Sequence, residues 1–303
     1  MKKILMMMAV VAIALFSFTA CDKSDDDNSS SGTEDTGIVT LTPPPYKDVA
    51  KAFNITQDND LHIKKLHIME SGAFMLAYDG DAALDFQSAR VTRGGIGDLL
   101  YEFGKFTYKD GKFVFDNGMT IAYNKNGSAY DITITWKNGT SITTTGTIDT
   151  SSTVSAGVMT DNLCSRPWTI DRVIIKGVFN GAELGKEFKG PINLADVKEW
   201  YEKNYGTLKD QFEPNTIIEG IYFDSEGLFA INYKNRKDDV GVWRWINNMN
   251  DGNLIYNWND KLQAISLFTG NASVTFGKNP ETCKLNLAGK VNDVDLSFMF
   301  YLK

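Results

Sequence analysis

The sequence predicts an all-β chain: a small antiparallel β module, then a β-barrel bearing one helix. Three observations carry this. Short runs alternate apolar and polar residues with period two, the signature of half-buried strands. Most runs stop at a Gly beside Asn or Asp, as in Lys109-Asp110-Gly111, Asn126-Gly127 and Asn138-Gly139, where the backbone of a tight hairpin turn is easily reached. One segment alone has helical spacing. Aromatics at 12% with only 7 prolines in 303 residues describe a packed body rather than a disordered chain.

The first module, residues 46–150, begins after Pro43-Pro44-Pro45. Ile63–Ile68 and Ala73–Tyr78 flank the turn Glu70-Ser71-Gly72, with Lys65 at a bulge. Leu100–Tyr108 and Lys112–Phe115 form a hairpin, and Met119–Tyr123, Tyr130–Trp136 and Ser141–Ile148 continue the meander. Residues 151–161, rich in Ser and Thr, read as a linker. In the second module, residues 162–303, strands are expected at Trp168–Lys176, Ile217–Phe223, Leu228–Tyr233 and Val240–Ile246. Further strands follow at Leu254–Trp258, Leu262–Phe268, Ala272–Phe276, Cys283–Leu287 and Val294–Tyr301. Leu194, Val197, Tyr201, Tyr205, Leu208 and Phe212 recur at three- and four-residue spacing after Asn193, a good N-cap, and Pro214 ends the pattern.

The modules echo each other. Met69-Glu70-Ser71-Gly72-Ala73-Phe74 leads to Tyr78 as Phe223-Asp224-Ser225-Glu226-Gly227-Leu228-Phe229 leads to Tyr233. Gly104-Lys105-Phe106 later matches Gly241-Val242-Trp243. The order Trp168, helix, Phe223-Asp224-Ser225-Glu226-Gly227, Gly241-Val242-Trp243 resembles the lipocalin-like domains of Bacteroidetes surface lipoproteins of unassigned function. Arg166-Pro167-Trp168 stands where true lipocalins carry Gly-x-Trp, so no retinoid- or bilin-type ligand follows from the resemblance.

The N-terminus gives an address. Lys2 and Lys3 precede the apolar run Ile4–Phe18, too short to span a bilayer, and Thr19-Ala20-Cys21 follows. This is similar to a bacterial lipobox, in which residues 1–20 are removed and Cys21 carries a diacylglycerol and an N-acyl chain. Residues 21–45 then form an acidic, Ser-, Gly- and Pro-rich tether. Its Asp22–Asp27 stretch resembles the signal that sends Bacteroidetes lipoproteins to the outer face of the outer membrane, whose lipid is the expected partner. The net charge of −7 becomes −9 without Lys2 and Lys3, which disfavours nucleic acid.

No catalytic pattern is visible, and no cofactor or metal is expected. His62 and His67 are the two histidines. Asp58-Asn59-Asp60 and Asp79-Gly80-Asp81 read as turns, because no distant Glu completes a calcium loop. Gly94-Gly95-Ile96-Gly97 reads as a loop between strands. Cys164 and Cys283 read as two separate small hydrophobes, with a disulfide left open. The remaining constellation is aromatic: Trp243 and Trp245 share one strand face, and Tyr256 and Trp258 share a face of the next. Either these rings are barrel core, or they form a cup for a sugar ring or a small apolar ligand. The expected function is accordingly a non-enzymatic, surface-anchored binding module for a glycan or small apolar molecule, with a structural or adhesive surface protein as the alternative.

Overall fold

The computed structural model describes residues 38–56, 62–79, 91–96, 99–115, 118–150, 154–208, 216–235, 238–257, 269–291 and 294–303. Cys21, the chain to residue 37, Asp58–Asp60, Asp81, Trp258 and the strand expected at Leu262–Phe268 lie outside the described residues.

The first module comprises β1 (Lys51–Ile55), β2 (Ile63–Ile68), β3 (Ala73–Asp79), β4 (Val91–Ile96), β5 (Leu99–Lys109), β6 (Lys112–Phe115), β7 (Thr120–Asn126), β8 (Ala129–Thr135) and β9 (Ser141–Ile148). β1 pairs with β9 and β3 pairs with β5, so eight strands close a ring and β4 hangs outside it on β5. Among the described residues, closure leaves β4 as the edge of this sheet. The expected loop at Gly94-Gly95-Ile96 is thus the end of a strand, because β5 offers it a free side for pairing.

A short helix α1 (Val158–Leu163) leads into the second module. There follow β10 (Trp168–Phe179), β11 (Ala182–Lys189), β12 (Ile192–Asn193), α2 (Leu194–Tyr205), β13 (Ile217–Phe223), β14 (Leu228–Tyr233), β15 (Asp239–Trp245), β16 (Asn253–Asn257), β17 (Thr269–Lys278), β18 (Glu281–Val291) and β19 (Val294–Leu302). The pairing of β10 with both β13 and β19 closes a second eight-stranded ring, with β11 and β12 outside it. The Asn193 side chain accepts the Ala195 N–H at the start of α2, as its position anticipates. The helix stops at Tyr205 rather than running on toward Pro214, since Gly206 takes φ +91° and its N–H closes on Glu202.

The two rings repeat one plan, and the sequence echo marks its anchor points. Gly72 and Gly227 occupy the same place in the β2–β3 and β13–β14 turns with φ +87° and +91°, values open to glycine. The carbonyl of each then accepts a hydrogen bond from the next ring strand: Phe106 N–H to Gly72 at 2.9 Å, Trp243 N–H to Gly227 at 2.7 Å. In each ring a Phe faces the matched glycine, Phe74 opposite Gly104 and Phe229 opposite Gly241. A Cβ on Gly104 would lie 2.4 Å from the Phe74 ring, so the small residue makes room for the aromatic.

The rings meet through equivalent surfaces. Met69, Ala73, Met75, Ala77 and Phe103 of the first pack with Tyr222, Ala230, Val240 and Leu228 of the second. By the alignment of the two turns, Ala73 matches Leu228, Met75 matches Ala230 and Phe103 matches Val240. The contact therefore has the self-complementary character of a two-fold interface, here within one chain. Two segments expected as tether and linker belong to this body. Leu41 is buried in the second core, with its N–H on Asn162 Oδ1 and the Val39 carbonyl accepting from Asn162 Nδ2. Thr160 of α1 accepts the Trp245 indole N–H at 2.8 Å.

Candidate functional site

The aromatic strand residues lie inside the second barrel. Trp243 is fully buried, its Nε1–H shared between the Asp224 and Leu228 carbonyls at 3.1 and 3.0 Å. Trp245 and Tyr256 are also buried, and the two indoles meet edge to face with centroids 5.3 Å apart. Burial pushes the Tyr256 phenol pKa up. Trp243 and Tyr256 pair across β15 and β16, as strand alternation anticipates. Their common face is the interior face. Among the described residues, the lumen retains a wholly apolar void of about 30 Å³ between Phe223, Phe229, Tyr256, Leu285 and Phe300. That is about the volume of one water, far below the ~300 Å³ at which small-molecule pockets begin.

Among the described residues, two larger spaces lie outside the second lumen. The first is a groove of about 600 Å³ between α2 and β11. Trp200 and Phe188 form its floor, edge to face at 6.0 Å. Around them stand Glu187, Asp196 and Glu199 against Lys186, Lys189 and Lys203, with Asn193 and Asn204 at the α2 termini. Three carboxylates balanced by three ammonium groups give this groove no net charge, yet fill it with donors and acceptors. The Phe188 face is taken by Lys186 Nζ at 4.8 Å from the ring centroid.

The second is a cleft of about 220 Å³ at the waist between the barrels, reached by residues of both. His67 leaves β2 on its outer face, where it is 3% exposed. Its Nδ1 lies 3.0 Å from Asp224 Oδ2 of the second barrel, and its Nε2 lies 3.6 Å from Asp149 Oδ2 at the end of β9. Lys65 Nζ holds the same Asp149 oxygen at 2.7 Å. Burial by itself would lower the imidazole pKa, but Asp149 and Asp224 outweigh it and raise it to about 9. Glu70 and Glu226 are raised, first by burial and then by neighbouring carboxylates. Cys164 lines the same cleft as a free thiol, and burial with the fields of Asp224, Asp161 and Glu70 raises its pKa well above normal. It is therefore held protonated, the reverse of an activated nucleophile.

Of this cluster, the sequence offered His67 only as one of two histidines and Asp224 only within the repeated Phe223-Asp224-Ser225-Glu226-Gly227 motif; Asp149 carried no signal. The echo held a latent clue, because His67 matches the apolar Tyr222 and Asp224 matches the apolar Met69. Polar residues at positions that are apolar in the sister repeat mark the surface where the repeats differ.

No family model matches the chain. No curated protein matches it either. Among solved structures, the apo crystal structure of haemoglobin receptor HpuA from Kingella denitrificans aligns at 10% identity over 88% of this chain and 94% of that one, with a TM-score of 0.18. At that score the two folds do not superpose.

Two outcomes follow from the geometry. Trp245→Ala, which empties a packed site and removes the indole hydrogen bond to Thr160, is expected to cost about 3–5 kcal/mol in denaturant unfolding. His67 gains protons on folding, so its stabilisation is complete below the free imidazole value of 6.5 and is lost as pH rises through about 9. The stake is on the order of 3 kcal/mol. Unfolding free energies measured across that window should fall in the wild type and lose this component in His67→Gln.

Proposed function

We propose that this chain is an exported, lipid-anchored, non-enzymatic binding protein whose ligand is a neutral glycan held in the groove along α2. The groove carries the reading: about 600 Å³, charge-balanced, with carboxylates, ammonium groups and carboxamides around two aromatic rings. Sugar hydroxyls both donate and accept, so a mixed wall of this kind satisfies them, whereas an ionic ligand would find no net field. A small apolar ligand is disfavoured, since the filled lumen leaves about 30 Å³. The adhesive alternative draws on the exposed Val178, Phe179 and Leu184 at the β10–β11 hairpin, an apolar tip of the kind that marks protein contacts. Export and anchoring rest on the lipobox-like Thr19-Ala20-Cys21, and outward display on Asp22–Asp27.

Asp196 and Glu199 are exposed on α2, so Asp196→Ala with Glu199→Ala should leave thermal unfolding unchanged. On an array of neutral oligosaccharides the wild type should be retained, and the double variant should bind at least about tenfold more weakly. Retention of no glycan, or equal retention of both proteins, would remove this reading. For the anchor, Cys21→Ser should abolish palmitate labelling and move the protein from membrane to soluble fraction, because the acyl chains supply the binding. Unchanged partition would count against lipidation.

A further inference from the structure

The aromatic floor of the α2 groove continues beyond its charged walls. It runs on toward the β10–β11 hairpin as an unbroken edge-to-face series: Phe188 on Trp200 at 6.0 Å, Trp200 on Tyr205 at 5.6 Å, and Tyr205 on Phe179 at 6.5 Å. Tyr205, the last residue of α2, is seated on the hairpin. Its hydroxyl proton is shared between the Gly177 and Leu184 carbonyls at 3.0 and 3.2 Å, and a Cβ on Gly177 would lie 2.5 Å from the hydroxyl oxygen. The glycine lets the ring lie against the strand, and the half-buried ring joins groove to hairpin.

The chemistry changes at that ring. β10 and β11 pair Gly177 with Leu184 and Phe179 with Ala182, and strand alternation puts all four on the face that carries Lys186 and Phe188. On β11 the polar lining of this face ends at Lys186. From Leu184 to the turn the face is apolar, with Leu184 and Phe179 46% and 37% exposed. A sugar placed there would meet no side chain able to answer its hydroxyls, and taking hydroxyls from water unpaired is unfavourable. Hydrocarbon gains by covering the same surface. Val178, exposed to the same degree, pairs with Glu183 on the reverse face and lies off this path.

We infer that the ligand of the groove is amphipathic: a glycoside whose neutral sugar lies in the groove and whose hydrocarbon chain runs past Tyr205 onto Phe179 and Leu184. This rests on the glycan reading of the groove and adds the class of molecule, a long-chain glycoside bound head and tail by one face of the protein.

Titration calorimetry of the mature protein with paired methyl and hexyl glycosides of glucose, galactose, mannose and N-acetylglucosamine, kept below micelle formation, tests this. A methylene half covered by protein is worth about twofold in affinity. For at least one of these sugars the hexyl glycoside should therefore bind at least about tenfold tighter than the methyl glycoside, with a more negative heat-capacity change. Phe179→Ser and Leu184→Ser, both at exposed positions, should each cut that ratio at least about threefold, whereas Val178→Ser should keep it. Asp196→Ala with Glu199→Ala should weaken both glycosides in parallel. 1-Hexanol, the chain without the sugar, should bind at least about tenfold more weakly than the hexyl glycoside. Equal binding of methyl and hexyl glycosides, hexanol binding as tight as the hexyl glycoside, or the same loss of ratio in Val178→Ser would overturn the inference. The groove reading would survive each of these results so long as oligosaccharides are retained. Retention of no oligosaccharide and no glycoside of either length would remove both. Should Phe179→Ser fail to fold, Leu184→Ser and the wild-type series still decide.

Discussion

One imidazole fixes how the two halves of this chain meet. His67 bridges Asp224 of the second barrel and Asp149 at the end of the first, beside a cluster of Ala, Met and a few larger apolar residues from both barrels. Apolar packing is non-directional and would tolerate sliding of one barrel on the other. A buried charge pair does not, because breaking it leaves an uncompensated charge costing about 3–5 kcal/mol. The waist cleft, its negative field and the positions of Glu70, Glu226 and Cys164 all follow from that fixed juxtaposition.

The filled barrels determine where chemistry can occur. In the first, Phe53, Phe74, Phe106, Phe113 and Phe115 pack with aliphatic residues through the lumen. In the second, Trp168, Trp243 and Tyr256 do the same. Rings of eight strands are just wide enough for side chains to fill, and among the described residues the second lumen retains only about 30 Å³. The larger described spaces then lie outside the second ring: at the added strand β11 and helix α2, which shape the groove, and at the facing walls of the waist. The groove uses elements that the repeated plan does not require, whereas the waist is walled largely by the matched turns themselves.

The repeat also explains why the polar cluster is asymmetric. Equivalent positions meet across the interface, so an exact two-fold would place identical residues in both halves of the contact. In place of that, one half carries His67 and Asp224, and the matching half carries Tyr222 and Met69. One half adds directional specificity while the other keeps the apolar area, a division open to two barrels in one chain but not to two identical subunits.

Local physics was legible in the sequence. Period-two runs fixed most strands to within a residue or two, and Gly72 and Gly227 marked the matched turns. Asn193 marked the helix start, and the alternation of Trp243 with Trp245 put both on one face. These features depend on neighbours a few positions apart. What the tertiary structure alone decided depends on partners far along the chain. Closure of the first module into a full ring required β1 to find β9, and β3 to find β5 across an inserted strand. Period two says which residues share a face but not whether that face looks inward, so the aromatic face became core only once the ring closed. His67 and Asp224 are 157 residues apart; only the packing of one barrel on the other makes a buried ion pair of a strand residue and a turn residue.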